Sequence, residues 1–376
     1  MPTATVPATT RRQPELMGVR AVLIGFVITK HWTLVDFPFG ELGRLPLFVL
    51  SGYLISGIIW KTEIYWASGQ AELRRLGVFY TRRFLRIIPP YYASLALGAL
   101  LPLAALHQYP GWFVLPLANV LCFRLGQWPE GVGHYWTLAV EEQFYILWPL
   151  LLGLFRRRAG GLWLLIALSF AYRLYGAFYL LPAAPAQVTV LLPACLDLFA
   201  AGALLQLHAA AARQRPQPPP PYPGWPALAT TMGWGLVWVF THRLTFGEQL
   251  WEVVSPSLGA LASYCMLRWL LHSPRPARWL AHPLALWLGK RSYGLYLYHL
   301  LLPVFYQRLI YHLLPAGQPP ATNWRPFWLS PVPTLLLLWP VLIGLSAVSW
   351  RYLEAPLDAF RRRRFTYTTP AAPAAE

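Results

Sequence analysis

The sequence predicts an all-α integral membrane protein: a bundle of about ten transmembrane helices with both termini cytoplasmic. Three observations carry this prediction. Of 376 residues, 56% are hydrophobic and only 12% charged, with 19 Trp, 20 Tyr and 19 Phe, far more apolar than a soluble domain. Runs long enough to cross roughly 30 Å of hydrocarbon recur along the chain. The net charge of +17 is gathered in short basic clusters between those runs, which fits the positive-inside rule and an anionic leaflet better than nucleic acid.

Taken in order, residues 1–13 are expected to be disordered and residues 14–358 to form one membrane domain. The opening MPTATVPATTRRQPELM lacks the apolar core of a cleaved signal, so the first span should direct insertion. Spans are expected near 18–38, 44–60, 88–106, 136–155, 161–181, 188–208, 226–241, 250–271, 286–312 and 331–352. With both termini inside, the cytoplasmic face collects Arg11, Arg12, Lys61, Arg74, Arg75, Arg82, Arg83, Arg86, Arg156 to Arg158, Arg213, Arg215, Arg275, Arg278 and Arg361 to Arg364. Arg44, Arg124, Arg243 and Arg325 fall outside. The run WFVLPLANVLCF at 112–123 is read as re-entrant or interfacial, because it is short for a span and crossing there would turn every later cluster outward. The proline-rich stretch 213–226 reads as an extended cytoplasmic loop, and 359–376 as a basic, disordered cytoplasmic tail. Cys122, Cys195 and Cys265 are odd in number and far apart, which suggests neither a disulfide framework nor a metal site.

Charged groups at membrane depth are costly and mark the place to look for chemistry. Arg20 and His31 are eleven residues apart, three helical turns plus about 20°, so both face one side of a helix about 16 Å apart. On the predicted topology Arg20 lies at the cytoplasmic mouth and His31 in the outer half. Glu141 and Glu142 share the depth of His31, and a carboxylate beside an imidazole suits general base work; helical phase does not decide between the two. Arg82 and Arg83 lie four and three positions before Arg86, so the three cluster on one helix face and suit either phosphate oxygens or lipid headgroups. Ser51-Gly52 and Ser56-Gly57 favour close helix packing. His299 either lines the same cavity or is a hydrogen-bonded structural group, and His134 lies at the outer entrance. Arg173 with Asp197, and Glu354 with Arg351, are expected as structural pairs.

The same residues carry a resemblance to the membrane-bound acyltransferase family 3, O-acyltransferases that modify cell-surface glycans and some small molecules. The likeness runs from about Pro14 to Pro356. It rests on Arg20 and His31 at their spacing, LFVLSGYLIS at 47–56, RRFLRIIPPYY at 82–92, HYWTLAVEEQFYILWPLLL at 134–152, SYGLYLYH at 292–299 and YLEAPL at 352–357. The chain departs from the family pattern at Met17, where an Asp is usual, at Thr137, where a Ser is usual, and at Tyr298, where a Trp is usual.

The resemblance implies a multi-pass protein of a bacterial-type inner or plasma membrane, without a tightly bound cofactor or metal, that moves an acyl group, most often acetyl, from acyl-CoA. The donor's phosphates would dock on Arg82, Arg83 and Arg86, and its pantetheine arm would pass Arg20 toward His31. His31, assisted by Glu141 or Glu142, would deprotonate a hydroxyl of an extracytoplasmic or membrane-associated acceptor such as a glycan, lipid-linked sugar or small molecule. The acyl group would move directly or through a transient acyl carrier. Ser51, His134, Trp136, Tyr145 and His299 are expected to contact substrate. The competing reading is a transporter of a lipid or glycan, which inverted repeats would support; none is evident in the sequence.

Overall fold

The structure is a computed structural model that describes residues 14–33, 37–62, 64, 69–101, 103–155, 157–215, 220–273, 278–313 and 325–367. The expected disordered segment 1–13, Arg156, Arg275 and residues 368–376 of the expected tail lie outside the described residues. Every regular element among the described residues is helical, as hydrocarbon demands of a backbone that must satisfy its own polar groups.

In chain order, α1 (Glu15–Trp32), α2 (Phe39–Thr62) and α3 (Gln70–Leu100) are followed by short helices α4 (Ala104–Gln108), α5 (Pro110–Val114) and α6 (Ala118–Leu125). Then come α7 (Tyr135–Phe155), α8 (Ala159–Tyr175), α9 (Leu192–Arg213), α10 (Trp225–Thr241) and α11 (Gly247–His272). The last described elements are α12 (Pro283–Lys290), α13 (Ser292–Tyr298), α14 (Leu301–Leu313), α15 (Arg325–Trp328), α16 (Pro331–Ser349) and α17 (Ala355–Arg364).

Five helical stretches among the described residues are long and apolar enough to cross a membrane: Phe39–Thr62, Tyr135–Phe155, Ala159–Leu180, Leu192–Arg213 and Pro331–Arg364. The protein is a multi-pass membrane protein. Other helices fall short of that measure for a physical reason. α1 carries Glu15, Arg20 and Lys30 in 18 residues, and α3 carries Glu72, Arg74, Arg75, Arg82, Arg83 and Arg86.

The 112–123 run is split between α5 and α6 around Leu115 to Leu117 and makes no continuous span, in keeping with its reading as too short to cross. Three elements differ from the sequence expectation. α3 begins at Gln70 rather than near 88 and carries Pro89 and Pro90 inside it. The expected helix at 286–312 is three helices, interrupted at Arg291 and at His299-Leu300. The tail expected to be disordered from 359 is helical to Arg364, because Asp358 pairs with Arg361 and, at 2.7 Å, with Arg362 on the next turn.

The centre of the bundle is α2, which packs on α1, α9 and α11. Its contact with α9 has no room for side chains at the crossing. A Cβ on Gly52 would meet the Phe199 backbone, and one on Gly202 the Val49 carbonyl and the Tyr53 amide. The small-residue repeat in α2 therefore serves packing, and Ser56 adds a hydroxyl that accepts from Trp148 Nε1 at 2.8 Å. Gly202→Val should cost about 1–3 kcal/mol as an overpacked contact, read as a lower thermal midpoint in detergent; an unchanged midpoint would show that the two backbones are not in contact.

A buried ion pair ties α8, α9 and α11 together, as expected for Arg173 and Asp197. Both side chains are 0% exposed and the Nη2–Oδ2 distance is 2.7 Å. Arg173 also donates to Ser169, Ser257 and the carbonyls of Ala194 and Val253, while Asp197 accepts from Ser169, Ser257 and the Leu198 amide. Glu354 does not pair with Arg351. Its carboxylate accepts from Ser349 at 3.0 Å and faces Arg86 and Arg291, because the π-helical turn Trp350–Glu354 rotates it away from its neighbour in sequence.

Candidate active site

A cavity of about 1330 Å³ runs between α1, α2, α3, α7, α10, α11 and α13. Arg20 and His31 both line it, so the period of α1 places a guanidinium and an imidazole about 16 Å apart along one wall.

At the Arg20 end the cavity is cationic. Arg83 and Arg86, one turn apart on α3, line it beside Arg20, and the three act on one another electrostatically against a single near carboxylate in the lining, Glu141. Arg83 Nε is buried without a hydrogen-bond partner among the described residues, and its guanidinium lies 5.8 Å from the Phe79 ring and 5.9 Å from the Tyr145 ring. Three forked cations around one wall fit phosphate oxygens. Arg82 does not belong to this cluster. It donates to the carbonyls of Arg361 and Phe365 and lies 5.0 Å from the Tyr367 ring, because the end of α17 and the chain after it pack against α3 at Arg82.

The carboxylates also separate. Glu141 lines the cavity, where it accepts from Ser51 Oγ at 2.9 Å and Tyr145 OH at 3.3 Å and faces Arg20 and Arg86. Ser51, Trp136 and Tyr145 line the cavity as expected of substrate-contacting residues, but the Ser51 and Tyr145 hydroxyls are committed to Glu141. Glu142, 100° further round α7, is absent from the lining, faces Arg83, and has a buried Oε1 without a partner.

Neither glutamate is the neighbour of His31. The His31 side chain makes no hydrogen bond to a described residue and is exposed to the cavity, and its ring lies 5.1 Å from the His299 ring. His134 lines the cavity, but its ring is 4.7 Å from His299 rather than at an open entrance. His299, expected to meet substrate, is 0% exposed and contributes nothing to the lining. The break between α13 and α14 explains its setting. Pro303 lacks the N–H that would reach the His299 carbonyl, and Trp32 Nε1 of α1 donates there instead at 2.8 Å.

The His31 end also holds groups that the sequence reading did not single out. Arg44 pairs with Glu41, lies 5.0 Å from the Trp136 ring and faces Glu252, which accepts from Thr189 at 3.3 Å. Trp128, Trp238 and Trp251 complete an aromatic and acidic wall there. Glu252 was detectable as a carboxylate inside an apolar segment, the same signal that exposed Arg20.

A family profile described as an acyltransferase domain matches residues 15–350. The chain belongs to this acyltransferase family. The family match covers all the cavity residues discussed. Among curated relatives, the chain is 31% identical over 157 residues, 38% of its own length and 24% of the relative's, to the peptidoglycan O-acetyltransferase OatA of Listeria monocytogenes serovar 1/2a. It is 31% identical over 155 residues, 37% and 23% of the two lengths, to the putative peptidoglycan O-acetyltransferase YrhL of Bacillus subtilis strain 168. It is 30% identical over 158 residues, 38% and 25%, to the O-acetyltransferase OatA of Staphylococcus aureus strain NCTC 8325. The chain thus spans about a quarter of the length of these acyltransferase relatives. No solved structure matches the chain with significance.

Proposed function

We propose that this protein is a membrane O-acetyltransferase that takes acetyl groups from acetyl-CoA on the cytoplasmic side and places them on a hydroxyl of an extracytoplasmic or membrane-associated glycan. The observation that carries the reading is one continuous cavity with Arg20, Arg83 and Arg86 at one end and His31 at the other. The names of the relatives, O-acetyltransferases of peptidoglycan among them, support a cell-surface glycan as acceptor. No observation specifically favours a transporter.

In this reading the chain crosses a bacterial-type plasma membrane about ten times with both termini cytoplasmic, which keeps the arginine clusters on one face. The guanidinium end then opens to the cytoplasm and binds the nucleotide phosphates, and the pantetheine arm follows α1 toward His31. His31 takes the proton of the acceptor hydroxyl as its oxygen attacks the thioester carbon. The C–S bond breaks, and the departing sulfur receives the proton from His31. Glu141 holds the Arg20 guanidinium and the Ser51 hydroxyl along the path.

The test compares two arginines on one helix. Arg86→Gln should raise the KM for radiolabelled acetyl-CoA about 10- to 100-fold, the worth of one charge-assisted hydrogen bond, while Arg82→Gln, bonded to the C-terminal segment, should leave it within about twofold. Equal effects of the two would overturn the assignment of the donor site. Absence of acetyl transfer and of CoA binding by the folded wild type would overturn the activity itself.

A further inference from the structure

Three imidazoles meet where the end of α1, the start of α7 and the α13–α14 break come together. The His299 ring lies 5.1 Å from His31 and 4.7 Å from His134. His299 is 0% exposed and absent from the cavity lining, His134 lines it at 5% exposure, and His31 is the exposed ring of the three.

Backbone carbonyls fix the protons of the two buried rings. His299 Nδ1 lies 2.7 Å from the Tyr296 carbonyl, and His134 Nε2 lies 3.3 Å from the Leu297 carbonyl. A carbonyl oxygen only accepts, so each of these nitrogens carries a hydrogen, and the neutral ring then has a bare lone pair on its other nitrogen. Those bare atoms, His299 Nε2 and His134 Nδ1, are both buried with no hydrogen-bond partner among the described residues. Buried acceptors without partners are uncommon in native structures and call for an explanation.

We propose that His299 is the positioning residue for His31. Its Nε2 lone pair receives the ring N–H of His31, which leaves the other His31 nitrogen bare and turned to the acceptor hydroxyl. When His31 takes the hydroxyl proton, the positive charge is held by the His299 lone pair, with His134 behind it. In a serine-protease triad a carboxylate does this for its histidine. Here Glu141 is engaged by Ser51, Tyr145 and Arg20, and no carboxylate acts on any of the three rings among the described residues. The charged or titratable groups around them are Lys30 beside His31, Tyr135 and Tyr296 against His134, and Tyr296 against His299. The proton balance is that of the transfer reaction: it leaves the acceptor oxygen for His31 and returns to the sulfur when the C–S bond breaks.

This inference rests on the proposed acetyl transfer, and its test separates the two. With radiolabelled acetyl-CoA and the membrane fraction as acceptor source, His299→Phe should lower kcat about 10²-fold while the KM for acetyl-CoA stays within about twofold. His299→Gln, whose amide oxygen can receive the same N–H, should recover about tenfold of that loss. Thermal midpoints identify a variant that has not folded. Independently of turnover, diethyl pyrocarbonate should modify His31 several-fold more slowly in His299→Phe than in wild type, and at close to the wild-type rate in His299→Gln. Wild-type kcat in folded His299→Phe, or Gln and Phe variants alike in both rate and His31 modification, would overturn the positioning role. A folded wild type without acetyl transfer would instead overturn the transfer reaction on which it rests.

Discussion

Alanine at position 31 should lower acetyl transfer by about 10²- to 10⁴-fold, the contribution expected of a general base. The loss should fall on kcat. His31 faces the cavity without a hydrogen bond to a described residue, so its removal leaves no described buried partner unsatisfied except the already bare nitrogen of His299. The arginines assigned to the donor are about three helical turns away on the same wall, so binding of acetyl-CoA should persist. The measurement is label transfer from acetyl-CoA together with CoA binding in the same preparation. Equal turnover by His31→Ala and wild type would remove His31 as the base; lost CoA binding at full thermal stability would reassign it to the donor site.

The second large effect concerns stability. Asp197→Ala should cost about 3–5 kcal/mol, because it strands the Arg173 charge in a site with 0% exposure. The serine and carbonyl partners of Arg173 orient the guanidinium but supply no negative charge. Replacing both members of the pair by apolar residues of similar volume, Arg173→Met with Asp197→Leu, should recover much of the loss. Thermal or denaturant midpoints in detergent measure both. If the single and double variants were equally destabilised, the cost would lie in packing rather than in the unpaired charge.

The Arg173–Asp197 pair was legible because two opposite charges in neighbouring apolar segments have few other ways to be satisfied. Arg20 and His31 were legible because eleven residues bring two side chains onto one helix face whatever surrounds it. Gly52 was legible as a packing residue, but its partner, the Phe199 backbone, was not. The apolar runs of α1 and of the second half of α3 were legible as spans despite their charges, but α3 starts earlier, at Gln70 rather than near 88, on a charged segment that carries no apolar signal.

Choices between adjacent candidates lay beyond the sequence. Arg82 and Arg83 are equally placed to join Arg86 by helical spacing, yet a segment almost three hundred residues later binds Arg82 and leaves Arg83 to the cavity. Glu141 and Glu142 differ by 100° on α7, and only the positions of Ser51 and Arg20 on other helices decide which carboxylate lines the cavity. The sequence left His299 either lining the cavity or hydrogen-bonded as a structural group, and the structure buries it with Nδ1 at 2.7 Å from the Tyr296 carbonyl. Its burial against His31 follows from a helix break whose freed carbonyl is taken by Trp32, 267 residues away.

The sequence by itself determined the helical membrane class, the family, the shared face of Arg20 and His31, and the buried ion pair. All of these follow from composition, motif order or helical period, which are local properties. Only the tertiary structure decided that Arg82 leaves the cluster, that Glu141 rather than Glu142 lines the cavity, and that the ring beside His31 is an imidazole, that of His299. The physical reason is that helical period fixes a residue's angle about its own axis, whereas the partner it meets there is set by how separate helices pack.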